Sequence, residues 1–416
     1  MSAPADTTGA TAVRRGGLVA AFAVLLLAAN LRPPVVGVAP LVDQAREALG
    51  VSSGVAGLLT SLPVLCFGLL APVAPRLARR WGLERLLVAA LVVLAVGIAL
   101  RLVSALAVIL VGSILVGTAI AIGNVSLPTL VKRDFPHRTG AMTGAYSMVL
   151  TGGGAVAAAV TVPLQRVTGL DWSDTLGLWG LLTLVTLVVW LPRARRRTVP
   201  PPPAREGQTL RSALLRDPLA WQVTMFMGLQ SLQFYAMSAW IPTIFVDAGR
   251  TPAEGGLLLS LAGFVGLVFS ATAPSFAMRR PSQSAVVVTT TLFYVVGYVG
   301  LLVAPGSLAA LWMVVLGIAQ GSNIALGLLL ITLRSPDTEH TAELSAMAQG
   351  IGYTLAALGP FALGALHDAS GGWTVPIAVM LVLVVPLVIV GWGAGRDRHV
   401  LSPAPTAEPE RSRPGR

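Results

Sequence analysis

Apolar stretches of about 20 residues, the length that crosses a bilayer as a helix, recur along nearly all of this 416-residue chain. Twelve are read, opening near residues 16, 53, 85, 105, 140, 174, 218, 254, 284, 307, 342 and 373. With 55% hydrophobic and 11% charged residues and a mean hydropathy of +0.77, the chain has more apolar surface than a water-soluble domain can bury. Lipid offers the backbone no hydrogen bonds, so spans of this length must be helical. The sequence predicts an all-α membrane protein of twelve transmembrane helices.

The net charge of +11 is a topology signal. Lysine and arginine gather in alternate connections: Arg76, Arg79, Arg80 and Arg85; Lys132, Arg133 and Arg138; the cluster from Arg193 to Arg216; Arg279, Arg280 and Arg334; and the tails. The opposite loops carry only Arg46, Arg101, Arg166 and Arg250, mostly beside acids. The positive-inside rule then places both termini in the cytoplasm, in a bacterial inner membrane, and nucleic acid is not an expected partner. Arg14-Arg15 before an apolar run has the form of an export signal. That run continues through Arg32 to Val42 without a small-residue cleavage site, so it is expected to remain as the first span. The single Cys66 excludes an internal disulfide.

A polar stretch containing Arg195-Arg196-Arg197 and Pro200 to Pro203 divides the chain. Such proline-rich, charged sequence makes a semi-rigid linker. The expected layout is a disordered cytoplasmic tail over 1–15, a six-helix bundle over 16–192, a linker over 193–217, a second six-helix bundle over 218–394 and a disordered tail over 395–416. The two halves repeat at an offset of about 200 residues. Gly57-Leu58-Leu59 matches Gly256-Leu257-Leu258, Ala74-Pro75 matches Ala273-Pro274, Arg80 matches Arg279, and Gly117 matches Gly317. Ala141-Met142 matches Ala346-Met347, and Gly154 matches Gly359. Two pseudo-symmetric bundles with a site at their interface follow from that pattern.

Arg32 is the sharpest functional candidate. It lies within the first apolar segment, preceded by Asn30 and followed by Pro33 and Pro34. A charge at bilayer depth is costly unless it faces protein or a water-filled cavity, and the double proline breaks the helical ladder beside it. Two roles are open: a substrate anchor, or a tether that caps carbonyls freed at the break. Other polar side chains inside spans should also face the bundle interior. These are Asn124 in the fourth, Tyr146 in the fifth, Gln230, Gln233 and Tyr235 in the seventh, Gln320 and Asn323 in the tenth, and Gln349 and Tyr353 in the eleventh. Helix–helix hydrogen bonding is the alternative role for each. Gly140, Gly144, Gly152-Gly153-Gly154, Gly317 and Gly321 read as close-packing positions, and Pro63, Pro72, Pro128, Pro163, Pro242 and Pro360 as kinks or helix ends.

No Asp, Glu or His is read well inside any span: His137, His340, His367 and His399 fall in loops or the tail. No metal-ligand cluster, nucleophile–base pair or nucleotide loop is visible, so no cofactor or metal is expected, and the chain does not read as an enzyme.

Several segments carry a family resemblance. They are Asn30-Leu31-Arg32-Pro33, Pro75-Arg76-Leu77-Ala78-Arg79-Arg80-Trp81-Gly82, Lys132-Arg133-Asp134-Phe135-Pro136, Gln349-Gly350-Ile351-Gly352-Tyr353, and His367-Asp368 before Gly371-Gly372-Trp373. Through them the chain resembles the major facilitator superfamily, within it the branch of cyanate and nitroimidazole transporters, from about Ala28 to Trp373. The resemblance implies that spans one, four, seven and ten line a central cavity, with five, eight and eleven contributing. It also marks Arg76, Arg79, Arg80 and Gly82 as a gating loop. Pro75 and Arg79 stand where that loop usually has glycine and aspartate, which leaves the usual aspartate latch without its aspartate. The expected function is secondary active or facilitative transport of a small anionic or nitro-aromatic solute by a monomer, with Arg32 as anchor. A guanidinium fork suits carboxylate, nitro or cyanate-like groups. The alternatives are a broad-specificity drug exporter of the same fold and an intramembrane enzyme or receptor.

Overall fold

The structure, a computed structural model, describes residues 7–51, 53–195 and 206–402. In the first half, α1 (Thr7–Ala29) and the short α2 (Pro33–Val36) form one broken span, and α3 (Val42–Leu49) leads to α4 (Ser53–Leu70) and α5 (Val73–Trp81). Then come α6 (Leu83–Leu100), α7 (Leu106–Asp134), α8 (Thr139–Thr168), α9 (Trp172–Gly177) and α10 (Trp179–Arg195). A connecting helix, α11 (Glu206–Leu214), precedes the second half: α12 (Pro218–Asp247), α13 (Pro252–Ala277), α14 (Ser284–Val303) and α15 (Ala309–Leu333). It ends with α16 (Thr338–Ala356), α17 (Leu358–Ser370) and α18 (Thr374–Ala394).

Nine spans among the described residues are long and apolar enough to cross a membrane unaided, and α4 with α5, joined at a 63° bend, make a tenth. The other two are α12 and the α16–α17 pair, whose apolar character is diluted by Gln230 and Gln233 and by Glu343 and Gln349. Polar caps start several spans where they meet the membrane boundary. Asp217 accepts from the Ala220 N–H at 2.8 Å, Asp337 from that of His340 at 2.9 Å, and Thr251 forms a reciprocal capping box with Glu254.

Each half repeats the other's packing. The first span lies on the fifth and sixth (α1 on α8 and α10; α12 on α16 and α18), and the second on the fourth (α4 on α7; α13 on α15). The third lies on the fourth and sixth (α6 on α7 and α10; α14 on α15 and α18). The halves meet along two equivalent seams, α4 with α16 and α13 with α8. Small residues let the backbones close up: Gly144 lies against the Ala271 carbonyl, Gly140 against that of Pro274, and Gly68 against that of Gly350. Inside the second half Gly321 abuts the backbone of Gly266. Gly153 and Gly154, in contrast, have only ordinary contacts around them.

Some expectations need correction. Helix α1 begins at Thr7, within the stretch expected to be a disordered tail; the sixth span runs over Trp172–Arg195, close to its expected start, with its first turn, α9, capped by Asp171. Residues 395–402 are docked rather than free: the Val400 N–H donates to the Arg334 carbonyl at 2.8 Å and that of Leu401 to Asp217 at 2.6 Å, while 403–416 of the expected tail lie outside the described residues. Arg334, counted as a loop charge, is fully buried, bound to Gln283 and facing Asp397 at 3.7 Å. Arg101, also counted as a loop charge, is only 4% exposed. It donates to the Pro34 carbonyl at 2.6 Å and to Ser113 Oγ at 3.0 and 3.1 Å. The carbonyl-capping tether at the first-span break is therefore Arg101.

Gly321→Ala is expected to destabilise the second half by about 1–3 kcal/mol, the usual cost of overpacking, because the added methyl meets the Gly266 backbone rather than a movable side chain. Thermal unfolding in detergent checks this; Gly256→Ala, in open space, should leave the midpoint unchanged.

Candidate functional site

Pro33 and Pro34 carry no N–H, so α1 stops before them and the chain restarts as α2, with Arg32 at the junction (φ −121°, ψ −44°). The guanidinium Nη1 donates to Tyr235 Oη at 2.8 Å, across from the first half to α12 in the second. Among the described residues no carboxylate lies within 4.0 Å of it. Arg32 is half-buried. The Tyr235 ring sits edge-on to Phe234, centroids 5.3 Å apart, and to Tyr353 at 6.5 Å; Tyr353 in turn meets Phe67 at 6.0 Å. Through Tyr235 the cation is thus joined to a connected run of four aromatic rings drawn from both halves.

The other polar candidates divide by partner. Asn30 serves the first half alone: its amide donates to the Leu26 carbonyl at 2.8 Å and Thr186 Oγ1 at 2.6 Å, and accepts from Thr183 at 2.8 Å. Gln233 locks the second half, donating to the Met380 carbonyl at 2.9 Å and accepting from Tyr298 at 2.6 Å. Asn323 likewise joins its own helix to Thr291 at 2.8 Å. These three fill the helix–helix bonding role. Gln230 donates to Ser231 at 2.7 Å and leaves its oxygen unpartnered; Tyr146 Oη, Gln320 Nε2 and Gln349 Oε1 are also buried without partners among the described residues.

Gln349 crosses between the halves. Its Nε2 donates to the Asn124 carbonyl at 3.1 Å and to Ser345 Oγ at 2.8 Å. Pro128 has no N–H to offer the carbonyl four residues before it, which is that of Asn124. The vacancy in one half's helix is filled by a side chain from the other. Ser345 makes a parallel bond to the Val125 carbonyl at 2.9 Å.

The family model described as Major Facilitator Superfamily matches residues 17–316. The chain belongs to that superfamily. It is a multi-pass membrane transporter and not an enzyme. It is 37% identical to the 2-nitroimidazole transporter of Escherichia coli (strain K12), over 91% of this chain and 95% of that one. It is 30% identical to the cyanate transport protein CynX of the same organism, over 88% and 94%. The crystal structure of the E. coli fucose:proton symporter FucP superposes with a TM-score of 0.73 at 15% identity, covering 91% of this chain and 98% of that one.

The superfamily's gating loop takes an unusual form here. Arg79 of α5 pairs with Glu343 of α16, an acid only 5% exposed that the sequence reading passed over. Where the loop usually supplies a carboxylate, this chain supplies the cation, and the opposite half supplies the acid. Beside it Lys132 donates to the Ser335 and Thr332 carbonyls at 2.9 and 3.3 Å, again across the halves. Arg133 holds Glu84 at 2.7 Å and Asp134 holds Arg193 at 2.9 Å within the first half. Gly82 makes the α5–α6 turn at φ +83°, a conformation suited to glycine. Arg76 and Arg80 are exposed. Glu343 escaped notice because it stands one turn inside the eleventh span, where an acid passes for a boundary residue.

Arg79→Glu sets two carboxylates together and should open this end; adding Glu343→Arg should close it again. In a Cys66→Ser background, spin labels at the exposed Arg80 and Pro336 positions are expected to move to longer distances in the single variant and return in the double one.

Proposed function

We propose that this superfamily member carries a small anionic or nitro-aromatic solute, cyanate-like or nitroimidazole-like, by alternating access around Arg32. The observation that carries this is the guanidinium at the interface of the halves, unpaired with any described carboxylate and bonded to Tyr235, whose ring continues into an aromatic cluster with Phe234, Tyr353 and Phe67. A fixed cation in low dielectric favours a negative or strongly dipolar group, and its fork can give two parallel hydrogen bonds to carboxylate, nitro or cyanate. Aromatic rings add a surface for a flat heterocycle. A cationic drug meets the wrong charge. Relatives described as nitroimidazole and cyanate transporters support the same class.

Arg32 and Tyr235 belong to opposite halves, so a solute bound between them feels both, and the halves can part on either side of it in turn. The end holding Arg79, Lys132 and the other clustered cations is assigned to the cytoplasm, with both termini.

Arg32→Ala should lower apparent substrate affinity roughly ten- to hundredfold, the ~1.5–3 kcal/mol of a hydrogen bond to a charged group, with insertion intact. Arg32→Lys keeps the charge but loses the fork and should recover only part. Uptake of cyanate, a small carboxylate and 2-nitroimidazole into proteoliposomes measures this; full transport by the alanine variant would sink the proposal.

Because Arg32 does not titrate near neutral pH, solute exchange should persist when the proton gradient is collapsed, and its pH profile should follow the ionisation of the solute. A carboxylate-like profile identical for solutes of different pKa would contradict this.

A further inference from the structure

The two halves differ in the course of the second span. In the first, the second span bends by 63° and its end, α5, packs onto both α6 and α7. In the second, the corresponding α13 runs unbroken to Ala277 and hardly touches its successor α14. The gap left between α13, α14 and α15 is a cavity of about 540 Å³, within the ~300–1,000 Å³ of pockets that hold small molecules.

Its walls are mainly apolar: Phe269 and Phe276 from α13, Phe293 and Ala285 from α14. It opens sideways, where Phe276 is 51% exposed on the outer surface of a membrane protein. At its floor Ser322 Oγ is fully buried with no hydrogen-bond partner among the described residues. In the repeat alignment that carries Gly117 onto Gly317, Ser322 falls on Ile122, so the polar floor belongs to this half alone. At the rim stands Arg280 beside Arg279, both exposed and neither within ion-pair distance of a described carboxylate. No acid is among the lining residues.

We propose that this cavity seats one anionic phospholipid, an acyl chain lying among Phe269, Phe276 and Phe293 and the phosphate at Arg280. An apolar slot open to the bilayer takes a hydrocarbon chain, and an unpaired cation at its rim near the membrane surface selects a negative headgroup. The opposite face of α13 forms the seam with α8, where Gly144 meets the Ala271 carbonyl. A bound lipid therefore fills the space behind a helix that has to move when the halves alternate. The site lies within the second half and does not depend on what the carrier transports.

Native mass spectrometry of the delipidated full-length protein, titrated with phosphatidylglycerol or phosphatidylcholine, tests the proposal. Phosphatidylglycerol should bind more tightly. Arg280→Gln, at an exposed position, should weaken it about fivefold, the worth of about one basic residue at a lipid surface, and leave phosphatidylcholine unchanged. Ala285→Trp, which fills the slot from an exposed position on α14, should abolish the preference. Equal binding of the two lipids, or a preference that survives both substitutions, overturns the proposal. So does full displacement of phosphatidylglycerol by inorganic phosphate, which would mark a bare anion site.

Discussion

A guanidinium at bilayer depth costs about 2.5–3.5 kcal/mol on insertion scales, and the arrangement around Arg32 follows from how that cost is met. Two other buried arginines are held within their own half: Arg101 by the Pro34 carbonyl and Ser113, Arg334 by Gln283 and the docked segment after α18. Among the described residues, Arg32 is bonded to a tyrosine hydroxyl from the opposite half and to no carboxylate. Its charge is thus directed without being neutralised, and it sits where movement of one half against the other changes its surroundings.

The interface is held at one end by bonds of a particular kind. Arg79 and Glu343 supply an ion pair, while Lys132, Ser345 and Gln349 all donate to main-chain carbonyls of the facing half. Helix α16 carries Glu343, Ser345, Gln349 and Tyr353 in succession, so one helix links the closed end to the aromatic cluster beside Arg32.

Much of the fold could be read from the sequence because span length and hydropathy are local properties. The spans start within a few residues of their expected positions, the eleventh early because a polar opening blurs its edge. Arg32 was legible because a charge in an apolar run is conspicuous. What the polar side chains do was not. Asn30, Gln233, Asn323 and Gln349 share composition and context, yet three bind within their own half and one binds across it. Spacing puts a residue on a helix face but does not say which helix that face meets. Arg101 and Glu343 were hidden for a related reason: at a span's end, only the fold decides whether a charge is in water or under another helix.

Pro128 has a consequence for solvent. While the halves are closed at this end, the Asn124 carbonyl is served by Gln349, as the Thr332 and Ser335 carbonyls are served by Lys132. Separation takes all of these donors away in one movement, and Pro128 has no N–H to give the Asn124 oxygen in their place. Water has to enter as the helices leave, so unlatching this end and flooding it are a single event.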